Sequence, residues 1–281
     1  MTRLALRSSV LDVDGPLLVG VLNITPDSFS DGGLLRTVEE AVERGLSLVG
    51  DGAHIIDVGG ESTRPGALPV SLEEERRRVL PVVSALAAQG VIVSIDTRHA
   101  EVADAALEHG AALVNDVSGL RHAAMRHVVA RHQVPAVIMH SPVDDPAVMQ
   151  HHSQYDDVVA AVVGFLQRRI DEAQQAGITK IIVDPGIGFG KTTQQNLTLL
   201  SRLAELTSLG LPVLVGASRK RFVGEVTGVE NPSERVVGSV VAHLAALDQG
   251  ASLLRVHDVR AHAEAIRMWR ALRVPGDGPA G

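Results

Sequence analysis

Residues 91–115 read VIVSIDTRHAEVADAALEHGAALVN, and they contain one complete strand–helix–strand unit. A short apolar run ends at Asp96, a stretch of helical period covers 99–109 and stops at Gly110, and a second apolar run ends at Asn115. Parallel strands need a long crossover of this kind, and the crossover helix covers the sheet. The segment therefore predicts two parallel strands beneath a helix.

The same unit recurs along almost the whole chain. Eight short apolar runs each stop at a polar or ionisable residue, and helical stretches separate them. The runs are 17–23 (LLVGVLN), 53–57 (AHIID), 91–96 (VIVSID), 111–115 (AALVN), 136–140 (AVIMH), 180–184 (KIIVD), 211–218 (LPVLVGAS) and 252–255 (SLLR). Eight such units predict an α/β fold, a single (β/α)8 TIM barrel over 1–274 with a disordered tail at 275–281.

Composition narrows the function classes. Of 281 residues, 45% are hydrophobic and 2% aromatic, which predicts a mostly aliphatic core. The net charge of −7 argues against a nucleic-acid partner, because such proteins usually carry a basic surface. The chain has no cysteine, no signal-peptide pattern and no apolar run near the ~18 residues of a membrane span. We expect a soluble cytoplasmic protein without a membrane partner.

Local patterns give further expectations about the helices. Thr37 with Glu40, and Ser71 with Glu74, have the spacing of capping boxes. The charge run 73–78 suits an exposed helix face. The histidines on the predicted helices or their ends, His99, His109, His122, His127 and His132, are expected to be solvated.

Polar residues at the carboxyl ends of barrel strands meet at one mouth and predict a site there. These residues are Asn23, Asp57, Asp96, Asn115, Asp184, Lys220, Arg255 and His257. Buried carboxylates need a partner, and paired carboxylate oxygens match the N–C(NH2)–N edge of a planar heterocycle. The alternative is that one of these acidic groups only pairs with Lys220 or Arg255 in a structural network.

Cationic residues also gather just after strand ends and indicate an anionic small ligand. They are Arg64, Arg219, Lys220, Arg221, Arg255 and His257. Arg255 and His257 are two apart on one strand and share a face, so both can contact one anion. The Asn23 amide oxygen is a possible Mg²⁺ ligand, because that ion prefers hard oxygens and keeps waters or substrate phosphates.

Three connections, 24–36, 59–70 and 185–195, are longer than a minimal βα loop, and we expect mobile lids over the mouth. The third, PGIGFGKT over 185–192, looks like a phosphate-binding loop. However, Pro185 stands where that pattern requires glycine, and it lacks the N–H that a phosphate would need. The glycines 186, 188 and 190 do not have dinucleotide-binding spacing either.

Seven segments, in order, resemble the dihydropteroate synthase family. They are GVLNITPDSFSDGG (20–33), IIDVGGESTRPGA (55–67), SIDT (94–97), NDVSG (115–119), DPGIGFGK (184–191), GASRK (216–220) and RVHDVR (255–260). The resemblance implies a homodimeric (β/α)8 barrel with extended βα loops 1 and 2 over its mouth. It implies that hydroxymethyl-dihydropterin pyrophosphate and p-aminobenzoate condense with Mg²⁺ to dihydropteroate and pyrophosphate, and that sulfonamides compete for the aminobenzoate pocket.

The resemblance also implies roles for individual residues. The residues that it implies for pterin binding are Asp96, Asn115, Asp184, Lys220 and Arg255, and Arg255 is expected to stack over the ring. The residues that it implies for pyrophosphate binding are Asn23, Arg64, Arg255 and His257, with Mg²⁺ near Asn23. For p-aminobenzoate it implies Phe29, Thr63, Pro65, Phe189, Ser218, Lys220 and Arg221. The implied catalytic residues are Asp96, Lys220, Arg255 and His257. Two places depart from the family pattern, 141–146 (SPVDDP) and Arg221.

The expected reaction is a dissociative substitution with the pterin bound first. Two other functions stay open: a pterin-dependent methyltransferase or carrier domain on the same barrel, and a catalytically silent paralogue. The first should lack the lid sequence STRP (62–65) and the SRK turn (218–220), and both are present.

Overall fold

The computed structural model describes residues 2–6, 10–13, 15–24, 37–61, 70–143 and 154–273. The strands in this part of the chain are β1 (Thr2–Ala5), β2 (Val10–Val13), β3 (Leu17–Asn23), β4 (Ile55–Gly59), β5 (Val93–Asp96), β6 (Leu113–Asp116), β7 (Ala136–Met139), β8 (Ile181–Asp184), β9 (Leu214–Val215) and β10 (Leu253–Val256). Strands β3 to β10 each fall in or beside one of the eight apolar runs.

Strands β3 to β10 form one parallel sheet in the order β8-β7-β6-β5-β4-β3-β10-β9. A parallel bridge between Val183 and Val213 joins its two edges, and the Val183 N–H donates to the Pro212 carbonyl at 2.9 Å. The sheet therefore curls into a barrel, which confirms the predicted (β/α)8 fold. The predicted tail at 275–281 lies outside the described residues.

Helices alternate with these strands. They are α1 (Val38–Gly50), α2 (Leu72–Ala88), α3 (Ala100–Glu108), α4 (Ala123–His132), α5 (Val158–Gln175), α6 (Thr193–Ser201), α7 (Arg221–Thr227), α8 (Val236–Asp248) and α9 (Val259–Arg273). Short 3-10 helices cover Leu203–Leu209 and Pro232–Glu234. Within the described residues, no helix combines the length and the apolar character needed to span a membrane.

The structure confirms one capping box and corrects the other. Thr37 and Glu40 bond each other's backbone N–H reciprocally. Ser71 accepts from the Glu74 N–H, but the Glu74 carboxylate pairs with Arg77 and Arg78 instead of returning to the cap. A carboxylate binds two charged donors more strongly than one amide. Of the predicted capping box, therefore, only the bond from the Glu74 N–H to the Ser71 side chain is present.

An antiparallel hairpin of β1 and β2, which the sequence patterns did not predict, lies at the amino ends of the barrel strands. Its Leu4 and Leu6 are buried against apolar residues of the barrel interior. Lys180 donates from Nζ to the Leu6 carbonyl at 2.7 Å and the Gln133 carbonyl at 3.0 Å. The hairpin therefore closes this end of the barrel.

The barrel interior changes from apolar to polar within one step along the strands. Its apolar layer is Leu17, Val19, Ile55, Leu113, Val137, Ile182, Leu214 and Leu253. Side chains two residues apart on a strand share a face. The residues two positions beyond Ile55, Leu113, Ile182 and Leu253 are Asp57, Asn115, Asp184 and Arg255. A polar layer therefore lies directly above a closed hydrophobic floor.

Candidate functional site

One arginine holds the centre of the polar layer. Arg255 donates from Nε to Asp57 Oδ2 and from Nη2 to Asp96 Oδ2, both at 2.6 Å. Asn115 donates from Nδ2 to Asp57 Oδ2 at 2.9 Å. Four of the residues expected at the mouth therefore form one network. For Asp96, the pairing with Arg255 that the sequence left open as an alternative is present.

Two polar atoms in this layer lack a hydrogen-bond partner in the part of the chain that the structure describes. Asp57 is fully buried, and its Oδ1 has no hydrogen bond among the described residues. The Ser94 hydroxyl, on the neighbouring strand and in register with Asp57, is also buried and unpartnered. An unsatisfied buried carboxylate oxygen is costly, so this layer is suited to receive donors from a ligand or a water.

Burial changes the acid–base properties of the layer. It raises the pKa of Asp96, which Arg255 opposes and Asp57 and Glu75 reinforce. It also raises the pKa of Asp184, against the Gly186 N–H and the positive charge of Lys220. For Arg255, Asp57 and Asp96 outweigh burial, so its pKa is raised and it stays cationic. The layer thus pairs a permanent cation with carboxylates that favour hydrogen-bond donors.

Asp184 stands at the end of β8, where the glycine-rich loop 185–190 begins. Its Oδ1 accepts from the Gly186 N–H at 2.6 Å, and the Gly188 N–H donates to Asn196 Oδ1 at 2.7 Å. The Phe189 N–H donates to the Gly186 carbonyl at 3.1 Å. These amides are used inside the protein, which agrees with rejecting a phosphate-binding loop.

Lys220 crosses this loop from the amino end of α7. Its Nζ donates to the Ile187 carbonyl at 2.7 Å and lies 3.9 Å from the centre of the Phe189 ring. Burial lowers the pKa of Lys220 to about 8, although Asp184 opposes this shift. Gly188 has a φ of +82°, and a Cβ there would meet Lys220 Cδ at 2.8 Å, so glycine makes this approach possible.

Ser218 and His257 join the ends of β9 and β10. The Ser218 hydroxyl accepts from the His257 N–H at 3.1 Å and lies 3.0 Å from His257 Nδ1. Arg219 has a φ of +60° and binds Asp258 through Nε at 2.9 Å and Nη2 at 2.5 Å. The serine thus orients the imidazole that the resemblance assigns to pyrophosphate.

A buried pair of histidines supports the same strand ends, and sequence reasoning missed it. The Ala217 N–H donates to His243 Nε2 at 3.0 Å, His243 Nδ1 lies 2.9 Å from His262 Nε2, and His262 Nδ1 lies 2.8 Å from the Asp258 carbonyl. Burial lowers the pKa of both imidazoles. If both imidazoles are neutral and carry their proton on Nδ1, each Nε2 accepts one hydrogen bond and each Nδ1 donates one, and all three contacts are satisfied.

Asn23 lies at the end of β3, beside Asp96. A Cβ added at Gly59 would be 3.6 Å from Asn23 Oδ1 and 3.6 Å from Asp96 Oδ2, so glycine leaves a space between two hard oxygens. No group of three or more histidine, aspartate or glutamate side chains in the described part of the chain could hold a metal by itself. An ion here would need waters or ligand oxygens as well.

Several predicted site residues are not part of this cluster. Arg221 has a side chain that is 70% exposed and pairs with Glu225 on its own helix. The aminobenzoate and pyrophosphate residues Phe29, Thr63, Arg64 and Pro65 lie outside the described residues, as do 25–36 and 62–69 of the expected lids.

Two ion pairs lie beside the mouth, and the first of them corrects the sequence interpretation. Glu75, expected on an exposed face, is fully buried, and its Oε2 lies 2.7 Å from Nδ1 of His99, which was expected to be solvated. Glu61 accepts from Arg98 Nε at 3.1 Å and from the Val70 N–H at 3.2 Å. Glu61 thus joins both ends of 62–69 to the strand that carries Asp96.

His132 was also expected to be solvated, and the structure contradicts this. It is 9% exposed, and its Nε2 lies 2.7 Å from Asp104 on the neighbouring helix. Nothing in the helical period distinguished these paired groups from a solvated face, since both partners come from different helices.

The chain matches the family model described as pterin binding enzyme over residues 19–257. It is 43% identical over 272 residues to dihydropteroate synthase of Escherichia coli (strain K12), and the match covers 96% of each chain. The crystal structure of dihydropteroate synthase from Thermus thermophilus in complex with 4-aminobenzoate is similar, with 53% identity, a TM-score of 0.88 and coverage of 96% of this chain and 100% of that one. Dihydropteroate synthase from Xanthomonas albilineans in complex with 7,8-dihydropteroate has 47% identity, a TM-score of 0.88 and coverage of 97% and 99%.

Proposed function

The chain belongs to the dihydropteroate synthase family of pterin-binding enzymes, and we propose that its reaction takes place on the polar layer around Arg255. It is a transferase of folate biosynthesis, which condenses hydroxymethyl-dihydropterin pyrophosphate with p-aminobenzoate and releases pyrophosphate. The observation that carries the location is the buried set Asp57, Asn115 and Asp184, with the partly buried Asp96 beside them, above a closed apolar floor.

The acidic residues bind and orient the pterin in this proposal. The guanidine-like edge of the ring donates to Asp184, and Asn115 and Lys220 bind its other polar atoms. Asp96 lies close to the reacting methylene and stabilises positive charge on the reduced ring. Support comes from the unpartnered Oδ1 of Asp57 and the raised pKa of Asp184, because both carboxylates gain from new donors.

The substitution is proposed to be dissociative. The bond between the methylene carbon and the pyrophosphate oxygen breaks, its electron pair leaves with pyrophosphate, and the carbon becomes cationic. Arg255, His257 and Arg64 stabilise the departing charge. The amine nitrogen of p-aminobenzoate then bonds to the carbon and loses a proton to solvent. An arylamine is neutral at pH 7, so a strong general base is unnecessary.

Mg²⁺ is proposed as the metal, with Asn23 as its protein ligand. The space between Asn23 Oδ1 and Asp96 Oδ2 supports this, because two hard oxygens face one small volume. When bound, the ion would neutralise charge on the pyrophosphate. The remaining ligands would be pyrophosphate oxygens and waters, which fits the lack of a larger carboxylate or histidine cluster in the described ranges.

A homodimer is proposed through the late helices. Val237 and Val241, four apart on α8, are 77% and 62% exposed, and Met268 and Leu272 on α9 are 60% and 66% exposed. Exposed apolar side chains on neighbouring helices support a contact with a second copy. Sedimentation velocity should give a dimer, and the double variant Val237→Glu, Val241→Glu should give a monomer.

A cytoplasmic location is also proposed. The absence of cysteine supports it, because disulfides are typical of oxidising compartments.

A turnover assay with both substrates and Mg²⁺ tests the proposal. The expected result is release of pyrophosphate and formation of dihydropteroate, with sulfonamides competing against p-aminobenzoate. Pterin binding without turnover would indicate a silent paralogue, and methyl transfer would indicate the carrier-type barrel. As a test of order, tight binding of p-aminobenzoate without pyrophosphate or pterin would contradict the pterin-first scheme.

A further inference from the structure

Lys191 directly follows the glycine-rich loop 185–190 and has no part in the proposed reaction. It occupies the position that would bind phosphate in a phosphate-binding loop, yet it is only 2% exposed. Its ammonium therefore points into the protein, and the structure shows three protein partners for it.

Three acceptors surround the Lys191 ammonium. Nζ lies 2.9 Å from His140 Nδ1 and donates to the Gly186 carbonyl at 2.8 Å and the Phe189 carbonyl at 3.0 Å. In the charged form of Lys191, three N–H groups meet three acceptors when His140 carries its proton on Nε2. Burial and the Lys191 charge lower the pKa of His140 to about 2, so the imidazole stays neutral.

The loop needs such an internal partner because its backbone is unusual. Gly186, Gly188 and Gly190 all have positive φ angles. At Gly186, a Cβ would lie 2.0 Å from the His140 carbonyl oxygen, so the loop packs tightly on the end of β7. Without the ammonium, the Phe189 carbonyl would lose a charged donor inside the protein, which is costly.

The contacts continue from Lys191 to the mouth. Lys191 holds the Phe189 backbone, the Phe189 ring lies beneath Lys220 Nζ, and Lys220 donates to the Ile187 carbonyl in the same loop. We infer that Lys191 is a positioning residue that fixes Phe189 and the Lys220 ammonium, and so sets the affinity for the aromatic amine. This inference rests on the proposed function, because the amine is its second substrate.

The chain offers a matched control in Lys180. Its ammonium also joins two backbone carbonyls, of Leu6 and Gln133, but at the closed end of the barrel. Lys180→Met and Lys191→Met therefore both remove an ammonium that bridges backbone carbonyls. Only the second change should affect the mouth.

The experiment measures steady-state kinetics and hydrogen exchange of both variants. Lys191→Met should raise the KM for p-aminobenzoate about tenfold with a smaller change in pterin affinity, since a displacement near 1 Å is costly in an organised site. The amides of 186–189 should exchange faster in this variant. Lys180→Met should leave both readouts unchanged. Equal kinetic effects of the two variants, or unchanged exchange in Lys191→Met, would overturn the inference.

A second pair of variants covers the case in which Lys191→Met does not fold. His140→Leu removes one acceptor and should raise the same KM by a smaller factor, whereas His140→Asn keeps an acceptor near Nδ1 and should resemble the wild type. Identical kinetics of the two would count against the inference. A wild type without turnover overturns the proposed function instead, and hydrogen exchange then still decides whether Lys191 fixes the loop.

Discussion

The two ends of the barrel use the same strands and treat polar groups in opposite ways. At the hairpin end, Leu4 and Leu6 cover an apolar layer, and Lys180 saturates nearby carbonyls. At the mouth, two residues beyond Ile55 on β4, Asp57 keeps a buried oxygen without a hydrogen-bond partner among the described residues. The first arrangement favours stability. The second gives up stability to keep binding capacity, as is typical of functional sites.

The largest effect is expected from removing the central cation. Arg255→Met leaves Asp57 and Asp96 without their charged donor, so the unfolding free energy should fall by about 3 kcal/mol and turnover should be lost. Denaturant unfolding at pH 7 measures the first quantity. Arg202→Met, whose partners Asp157 and Glu205 are exposed, should lower the unfolding free energy far less, because solvent screens surface ion pairs. Similar losses for the two would break the contrast between the mouth and the rest of the surface.

The next effect compares two residues of β8 that are two positions apart. Asp184→Asn replaces a carboxylate acceptor of the proposed pterin edge, and pterin affinity should fall about a hundredfold, since hydrogen bonds to charged groups are strong. Ile182→Val, in the apolar layer, should leave affinity unchanged and lower the unfolding free energy by about 1 kcal/mol. Calorimetric titration with the pterin pyrophosphate measures the affinity of each variant, and thermal unfolding measures its stability. Reduced affinity in Ile182→Val would show that the two layers are coupled.

A smaller effect is expected from the pair that joins the base of 62–69 to β5. Arg98→Met removes the Glu61 ion pair, and the KM for p-aminobenzoate should rise several-fold to about tenfold through misplacement of Thr63, Arg64 and Pro65. Affinity for the pterin without its pyrophosphate should stay the same, because the proposed ring contacts Asn115 and Asp184 lie on other strands, β6 and β8. Arg77→Met is the control, since Arg77 is 73% exposed and pairs within its own helix. A matching loss of pterin affinity would point to general loosening of β5.

The fold and the composition of the site follow from the sequence because both depend on local periodicity. Five of the eight apolar runs end at a residue of the polar layer, so strand ends predict Asp57, Asp96, Asn115, Asp184 and Arg255 together. Ion pairs between elements that are distant in the sequence leave no periodic pattern by which they could be predicted. The Glu75–His99 and Glu61–Arg98 pairs join separate elements. In the sequence, Glu75 and His99 look like ordinary polar helix positions, and Glu61 and Arg98 look like ordinary loop positions.

The direction in which a side chain points also escaped the sequence. Lys191 follows a glycine-rich loop, as the lysine of a phosphate-binding loop does. Only Pro185, which rules out such a loop, suggested another role for this lysine. The His140 acceptor that turns it inward is 51 residues away in sequence. The hairpin β1–β2 was missed because its strands, TRLA and VLDV, do not alternate with helical stretches as the eight apolar runs of the barrel do.

The smallest effect is a pH dependence of stability that distinguishes the buried Lys191 from the partly exposed Lys180. Burial lowers the pKa of Lys191 to about 7 in the folded protein, whereas the unfolded value is near 10.5. Between these values the unfolded chain binds a proton that the folded protein does not, so the unfolding free energy rises with pH. From pH 7 to pH 8 this group should add about 1 kcal/mol, and the gain is lost as pH falls through 7. Lys191→Met should lack this increment, while Lys180→Met should keep it. Urea unfolding of the three proteins at both pH values measures the difference, and parallel pH profiles for wild type and Lys191→Met would mean that the ammonium stays charged and that its three acceptors outweigh burial.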